Sequence, residues 1–196
     1  KEARVVRNSS RGMGKKSKRS LADALEISAS IVLVLFAMFY VNRFLGGRLN
    51  YFGIIPRTGW GLIGIIFSPL LHYNEVHLIA NSTSLFLLLV ILFLHREYQP
   101  VLTFTTIWLA SGLGTWMIGR PSIHIGASSI IYGLVTYLIA AAWWLRTWNS
   151  ALWAILILFC YGGIFYGALP QPGFISWEGH LSGAIAGVLV ARYQHK

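Results

Sequence analysis

The chain has 196 residues, 56% of them apolar and only 11% charged, where a soluble domain carries about 25% charged residues. So few charges cannot coat a domain of this length in water, which excludes an ordinary soluble enzyme, a disordered chain and a disulfide scaffold; the single cysteine, Cys160, makes no internal bridge. The formal net charge of +10 is no nucleic-acid signal either, because eight of the sixteen basic residues fall in the first twenty positions and the rest of the chain is nearly neutral.

Residues 1–20 are basic, carry Ser and Gly and have no apolar periodicity. They read as a flexible tail that sets topology, ahead of a membrane domain over 21–196. The apolar stretch that follows is too long for a signal peptide. Leu21–Val41 makes the first spanning helix, close to the roughly 20 residues a bilayer requires. Asn42–Trp60 is a loop punctuated by Gly and Pro. Gly61–Asn74 is apolar but broken by Gly64 and Pro69, so it reads as an interfacial or half-inserted segment.

Five further spans follow: Val76–Leu94, Val101–Ile118, Ala127–Leu145, Ala151–Leu169 and the short Gly179–Ala191. The expected fold is therefore an all-α, polytopic bundle of six transmembrane helices embedded in a lipid bilayer. With a cytoplasmic N-terminus, the inner side holds twelve basic residues and the outer side four, namely Arg43, Arg48, Arg57 and Arg120. The positive-inside rule then places both termini in the cytoplasm.

Polar residues at membrane depth are functional candidates by default. His77, Asn81, Ser128, Tyr132 and His180 fall at the outer ends of the second, fourth and sixth spans, so three non-adjacent segments deliver them to one depth. His77 and Asn81 share a helix face, as do Ser128 and Tyr132. Ser129 and Gly133 on the fourth span, with Gly183 and Gly187 on the sixth, allow close backbone approach. That approach brings Ser128 near His180.

A Ser–His pair implies nucleophilic catalysis, Ser128 attacking and His180 taking its proton. Ser128 follows Gly126-Ala127 at a helix N-terminus, where backbone N–H groups face a developing oxyanion, and His77 and Asn81 add side-chain donors. Tyr132 is placed to pack on the His180 ring. The acids beyond Glu26 are Glu75, Glu97 and Glu178; Glu97 is on the far side, and Glu75 and Glu178 are expected in the headgroup layer, which favours a dyad over a triad. No H-E-x-x-H zinc motif or pair of membrane-depth Asp residues occurs, so no metal and no cofactor is expected.

These residues resemble the rhomboid family of intramembrane serine proteases in its minimal six-helix form. The resemblance rests on H-x-x-x-N at His77–Asn81, G-x-S at Gly126-Ala127-Ser128 with Tyr132 after it, and H-x-x-G-x-x-x-G from His180 through Gly183 to Gly187. It implies a serine endopeptidase of a bacterial or archaeal plasma membrane that cleaves transmembrane protein substrates near their outer ends. It also implies an oxyanion hole formed by His77, Asn81 and the Ser128 N–H, a cap at Pro170–Trp177 and a lateral gate at the fifth span. A family member that has lost catalysis and only binds membrane helices is the alternative, and such members usually lack the Ser or the His. The chain departs from the family at Ser129, where a Gly is usual and where a Cβ and hydroxyl are expected to narrow the cavity or to alter activity. It departs again at Trp60-Gly61, where a Trp-Arg pair is usual and where Phe52–Arg57 is expected to anchor the loop instead.

Overall fold

The structure is a computed structural model that describes residues 20–171, 173 and 175–196. Apart from Ser20, the basic tail lies outside the described residues, as do Pro172 and Phe174 of the expected cap. The described residues form helices and loops with no strand; a single bridge pairs Ile54 with His124.

Helix α1 (Leu21–Phe44) starts at a capping box, in which the Ser20 hydroxyl accepts from the Asp23 N–H and the Asp23 carboxylate accepts from the Ser20 N–H. The expected half-inserted segment is broken into a short α2 (Gly64–Phe67) between single 3₁₀ turns, as its glycines and Pro69 require. Helix α3 (Glu75–Leu94) is capped by the Asn74 side chain. Gln99 turns the chain through a left-handed conformation into α4 (Pro100–Ile118). Helices α5 (Ser128–Leu145) and α6 (Trp148–Tyr161) follow, with Thr147 and Ser150 forming a second capping box. The chain closes with α7 (Trp177–His195).

Five segments are long and apolar enough to cross a membrane: α1, α3, Arg96–Ile118, α5, and Trp148–Ala168. The last of these is not one continuous α-helix, because it tightens to a 3₁₀ helix over Gly162–Ala168. Helix α7, the expected sixth span, falls outside that group: it is less apolar and, at 19 residues, longer than the sequence suggests. It can be less apolar because it faces protein: Gly183, Ala186 and Gly187 are buried, and its most extensive packing is against α5, then α4.

The close approach of α5 and α7 is built on glycine. A Cβ at Gly183 would run into the Ser129 carbonyl, and one at Gly187 into the Gly133 carbonyl. Thr136 Oγ1 then donates across the gap to the Ala184 carbonyl at 2.8 Å. Helix α6 is held differently. Only Ser150 and Ile157 are buried in it, and at its foot Trp153 Nε1 donates to His95 Nε2 at 2.9 Å.

The loop after α1 is anchored through Phe52–Arg57, as expected. Ile54 and His124 exchange two backbone hydrogen bonds of 2.9 Å, and the Arg57 guanidinium donates to the Met117 and Gly119 carbonyls at 3.0 and 2.8 Å. Trp60 Nε1 donates to the Tyr51 carbonyl at 3.0 Å.

Candidate active site

Three helix ends supply the site, and each is set by local sequence. Gly126, at φ +117°, occupies a conformation that side chains rarely adopt. It turns the chain so that Ser128 opens α5. Ser176 caps α7 by accepting from the Gly179 N–H, which fixes the turn carrying His180. Asn74 accepts from the His77 N–H at 2.8 Å, which starts α3 with His77 and Asn81 on one face.

Ser128 Oγ lies 2.9 Å from His180 Nε2. The other ring nitrogen, Nδ1, lies 2.8 Å from the carbonyl oxygen of Gly167. A carbonyl can only accept, so Nδ1 carries the proton and Nε2 presents its lone pair to the serine hydroxyl. The tautomer is thus set by a backbone atom in the 3₁₀ segment after α6. Tyr132 stacks on the same imidazole, with ring centroids 4.1 Å apart and an interplanar angle of 11°.

His77 and Asn81 converge on Gly126. A Cβ there would come within 2.9 Å of His77 Nε2 and 3.4 Å of Asn81 Nδ2. Asn81 Nδ2 is buried and has no partner among the described residues, so a donor is held ready there. The Ser128 N–H, in the first turn of α5, has no partner within its own helix.

A cavity of about 880 Å³ opens over these groups. Its walls include His77, Asn81, Ser128, Tyr132 and His180 together, with Ile131 and Ile164 giving an apolar side. Ser129 is not among its walls; its hydroxyl accepts instead from Ser111 on α4 at 3.4 Å. The expected narrowing by Ser129 therefore does not occur, because the side chain points between helices.

Glu178 corrects another expectation. It is buried at 1% exposure rather than lying in the headgroup layer. Its Oε1 accepts from Arg120 Nε at 3.0 Å and from the Arg120 N–H at 3.2 Å. Arg120 also donates to the Gln171 and Ile175 carbonyls, in the stretch expected as the cap. Glu75 is half-buried and pairs with Arg43. Glu75 and Glu178 are thus taken up by arginines, and among the described residues no carboxylate bonds to His180.

Sequence reasoning also missed His124. Its Nε2–H faces the Arg120 carbonyl at 3.1 Å and its Nδ1 accepts from the Ser176 hydroxyl at 2.6 Å. His124 therefore ties the loop before Ser128 to the cap residue of α7. Burial pushes its pKa below the ordinary histidine value. The only sequence signal was a histidine four residues before Ser128. No group of three or more His, Cys, Asp or Glu suited to a metal occurs among the described residues.

Comparison with known proteins identifies the family of the chain. The Rhomboid domain family model matches residues 59–196. Uncharacterized proteins of Mycobacterium tuberculosis and Mycobacterium bovis are each 40% identical over 171 residues, which is 83% of this chain and 71% of theirs. An uncharacterized protein of Mycobacterium leprae is 36% identical over 140 residues, 66% of this chain and 55% of its own length. With its helical bundle, its spans and this match over most of its length, the chain is an integral multi-pass membrane protein that belongs to the rhomboid family.

Proposed function

We propose that the chain is a serine endopeptidase that cuts transmembrane segments of other membrane proteins near their extracytoplasmic ends. The observation that carries this reading is the His180 ring, bonded on one side to the Gly167 carbonyl at 2.8 Å and on the other to Ser128 Oγ at 2.9 Å. A histidine held in that tautomer is ready to accept a serine proton.

In the proposed reaction Ser128 Oγ attacks the scissile carbonyl carbon as its proton passes to His180 Nε2. The carbonyl oxygen becomes an oxyanion beside Asn81 Nδ2, the His77 ring and the Ser128 N–H. Collapse breaks the C–N bond, and His180 returns the proton to the leaving amine. Water then attacks the ester as its proton passes to His180, and breaking the bond to Ser128 Oγ releases the acid while His180 returns that proton to Ser128. Electrostatic stabilisation of this kind is usually the largest single contribution to such catalysis.

The acting residues are Ser128 and His180, with His77, Asn81, Gly126 and Tyr132 in support. Substrate helices enter from the lipid beside α6, whose few buried residues leave it the least constrained of the helices around the cavity. Both termini face the cytoplasm, on the distribution of basic residues, and the membrane is taken to be a bacterial or archaeal plasma membrane. The test is cleavage of a single-span membrane substrate by the purified chain in lipid. Ser128→Ala and His180→Ala should each reduce the product to background, and persistent cleavage by either removes that residue from the mechanism.

A further inference from the structure

A second cleft, of about 560 Å³, lies next to the candidate active site and shares two of its walls, Tyr73 and Ile123. The two wall residues are joined, since the Tyr73 hydroxyl donates to the Ile123 carbonyl at 3.2 Å. Across the cleft stand Arg48, Asn50 and Tyr51, from the turn after α1.

That turn is built rather than loose. Gly46 and Gly47 take φ of +66° and +80°. The buried Asn42 holds the turn from beneath: its Nδ2 donates to Asn50 Oδ1 at 2.8 Å, and its Oδ1 accepts from the Leu49 N–H at 2.9 Å. Arg48 is thereby presented on a fixed backbone.

Its charge is also unspent. Four arginines stand at this end of the bundle. Arg43 pairs with Glu75, Arg57 with the Met117 and Gly119 carbonyls, and Arg120 with Glu178 and the cap. Among the described residues the Arg48 side chain has no hydrogen bond or ion pair, and both acids at this end, Glu75 and Glu178, are already paired.

We propose that the Arg48 cleft is an exosite that docks an acidic juxtamembrane segment of the substrate whose helix occupies the neighbouring cavity. The inference rests on the reading of that cavity as the place where a substrate helix is held. An unpaired guanidinium beside two tyrosines suits a carboxylate on a short peptide, and the shared Tyr73–Ile123 wall lets one chain occupy both spaces. That continuity favours a protein segment over an anionic lipid headgroup.

The probe is a single-span Leu/Ala helix carrying a short extracytoplasmic run of Asp or, in the same positions, Asn. Its Kd is measured on the full chain with Ser128→Ala, in phosphatidylcholine nanodiscs, so that binding is read without cleavage. The Asp form should bind about two- to fivefold more tightly, the range expected of a solvent-accessible ion pair. The gap should close as salt rises from about 0.05 to about 0.5 M. Adding Arg48→Ala should remove the preference and Arg48→Glu should reverse it, whereas both forms of the probe should retain their binding to the cavity.

Equal Kd values for the two probes, or an Asp preference that survives Arg48→Ala, would overturn the exosite. So would loss of the preference on including phosphatidylglycerol, since a lipid would then hold the cleft. Parallel cleavage assays on the parent chain separate this from the protease reading. Cleavage of both probes with equal Kd leaves the protease and removes the exosite; an Arg48-dependent preference without cleavage does the reverse.

Discussion

The carbonyl of Gly167 and the imidazole of His180 are joined by a 2.8 Å hydrogen bond, so the proposed base is oriented by the backbone of the segment that follows α6. In a Ser–His–Asp site a carboxylate holds the histidine tautomer. Here a neutral carbonyl does so, and it belongs to the least buried of the long apolar helices. Movement of α6 to admit a substrate would therefore change the setting of the base.

Gly167→Ala tests that link. A Cβ at this position would run into the Tyr132 hydroxyl and lie 3.3 Å from His180 Nδ1. The variant should lose turnover with little change in KM, because the base is displaced while the cavity stays open. Small displacements of catalytic groups can cost on the order of 10²-fold. Normal kcat in a correctly folded Gly167→Ala protein would show that the carbonyl is not needed.

The dyad should behave as one unit. Ser128→Ala, His180→Ala and the double variant should show the same residual rate, since residues that act together are not additive. A double variant clearly slower than either single one would mean that the two residues act separately. Glu178→Gln should weaken the hold on Arg120 and lower the melting temperature, with turnover of the folded fraction falling far less than in His180→Ala.

The oxyanion donors should act on kcat. Removing one such donor from a soluble protease costs about 10²–10³ in kcat. His77→Ala and Asn81→Ala should each lose somewhat less than this, because the remaining side chain and the Ser128 N–H share the charge. KM should stay near its parent value. If the two side chains only join helices, melting temperature will fall while kcat of the folded fraction stays normal.

Stability should decline in acid. Burial brings the His72 pKa from 6.5 down to about 3, with His77 adding a smaller push, and His124 is also lowered by burial. Below pH 6.5 the unfolded chain takes up protons at these positions while the folded chain does not, so unfolding is favoured as pH falls from about 6.5 toward 3. His72→Phe should flatten this acid slope in thermal melts. An unchanged slope would remove His72 as its source.

Much of this was legible in the sequence. Charge-free runs show helices because a bilayer tolerates few alternatives. Ser128, His180, His77 and Asn81 stood out because polar groups are costly at that depth, and Tyr132 because of its spacing from Ser128. Gly183 and Gly187 marked the α5–α7 contact in the same way. The Gly167 carbonyl left no trace, because a backbone atom has no residue signature. The burial of Glu178 was hidden too, since its partner Arg120 is 58 positions away. His124 was missed for the same reason, its partner Ser176 being 52 positions distant.

The proposed reaction depends above all on Ser128 being a nucleophile activated by His180. A fluorophosphonate probe applied to the purified chain, followed by peptide mapping, tests it most directly. One residue, Ser128, should be modified, with labelling lost in His180→Ala and retained in Glu178→Gln. A folded chain that takes no label, or takes it equally well without His180, would contradict it.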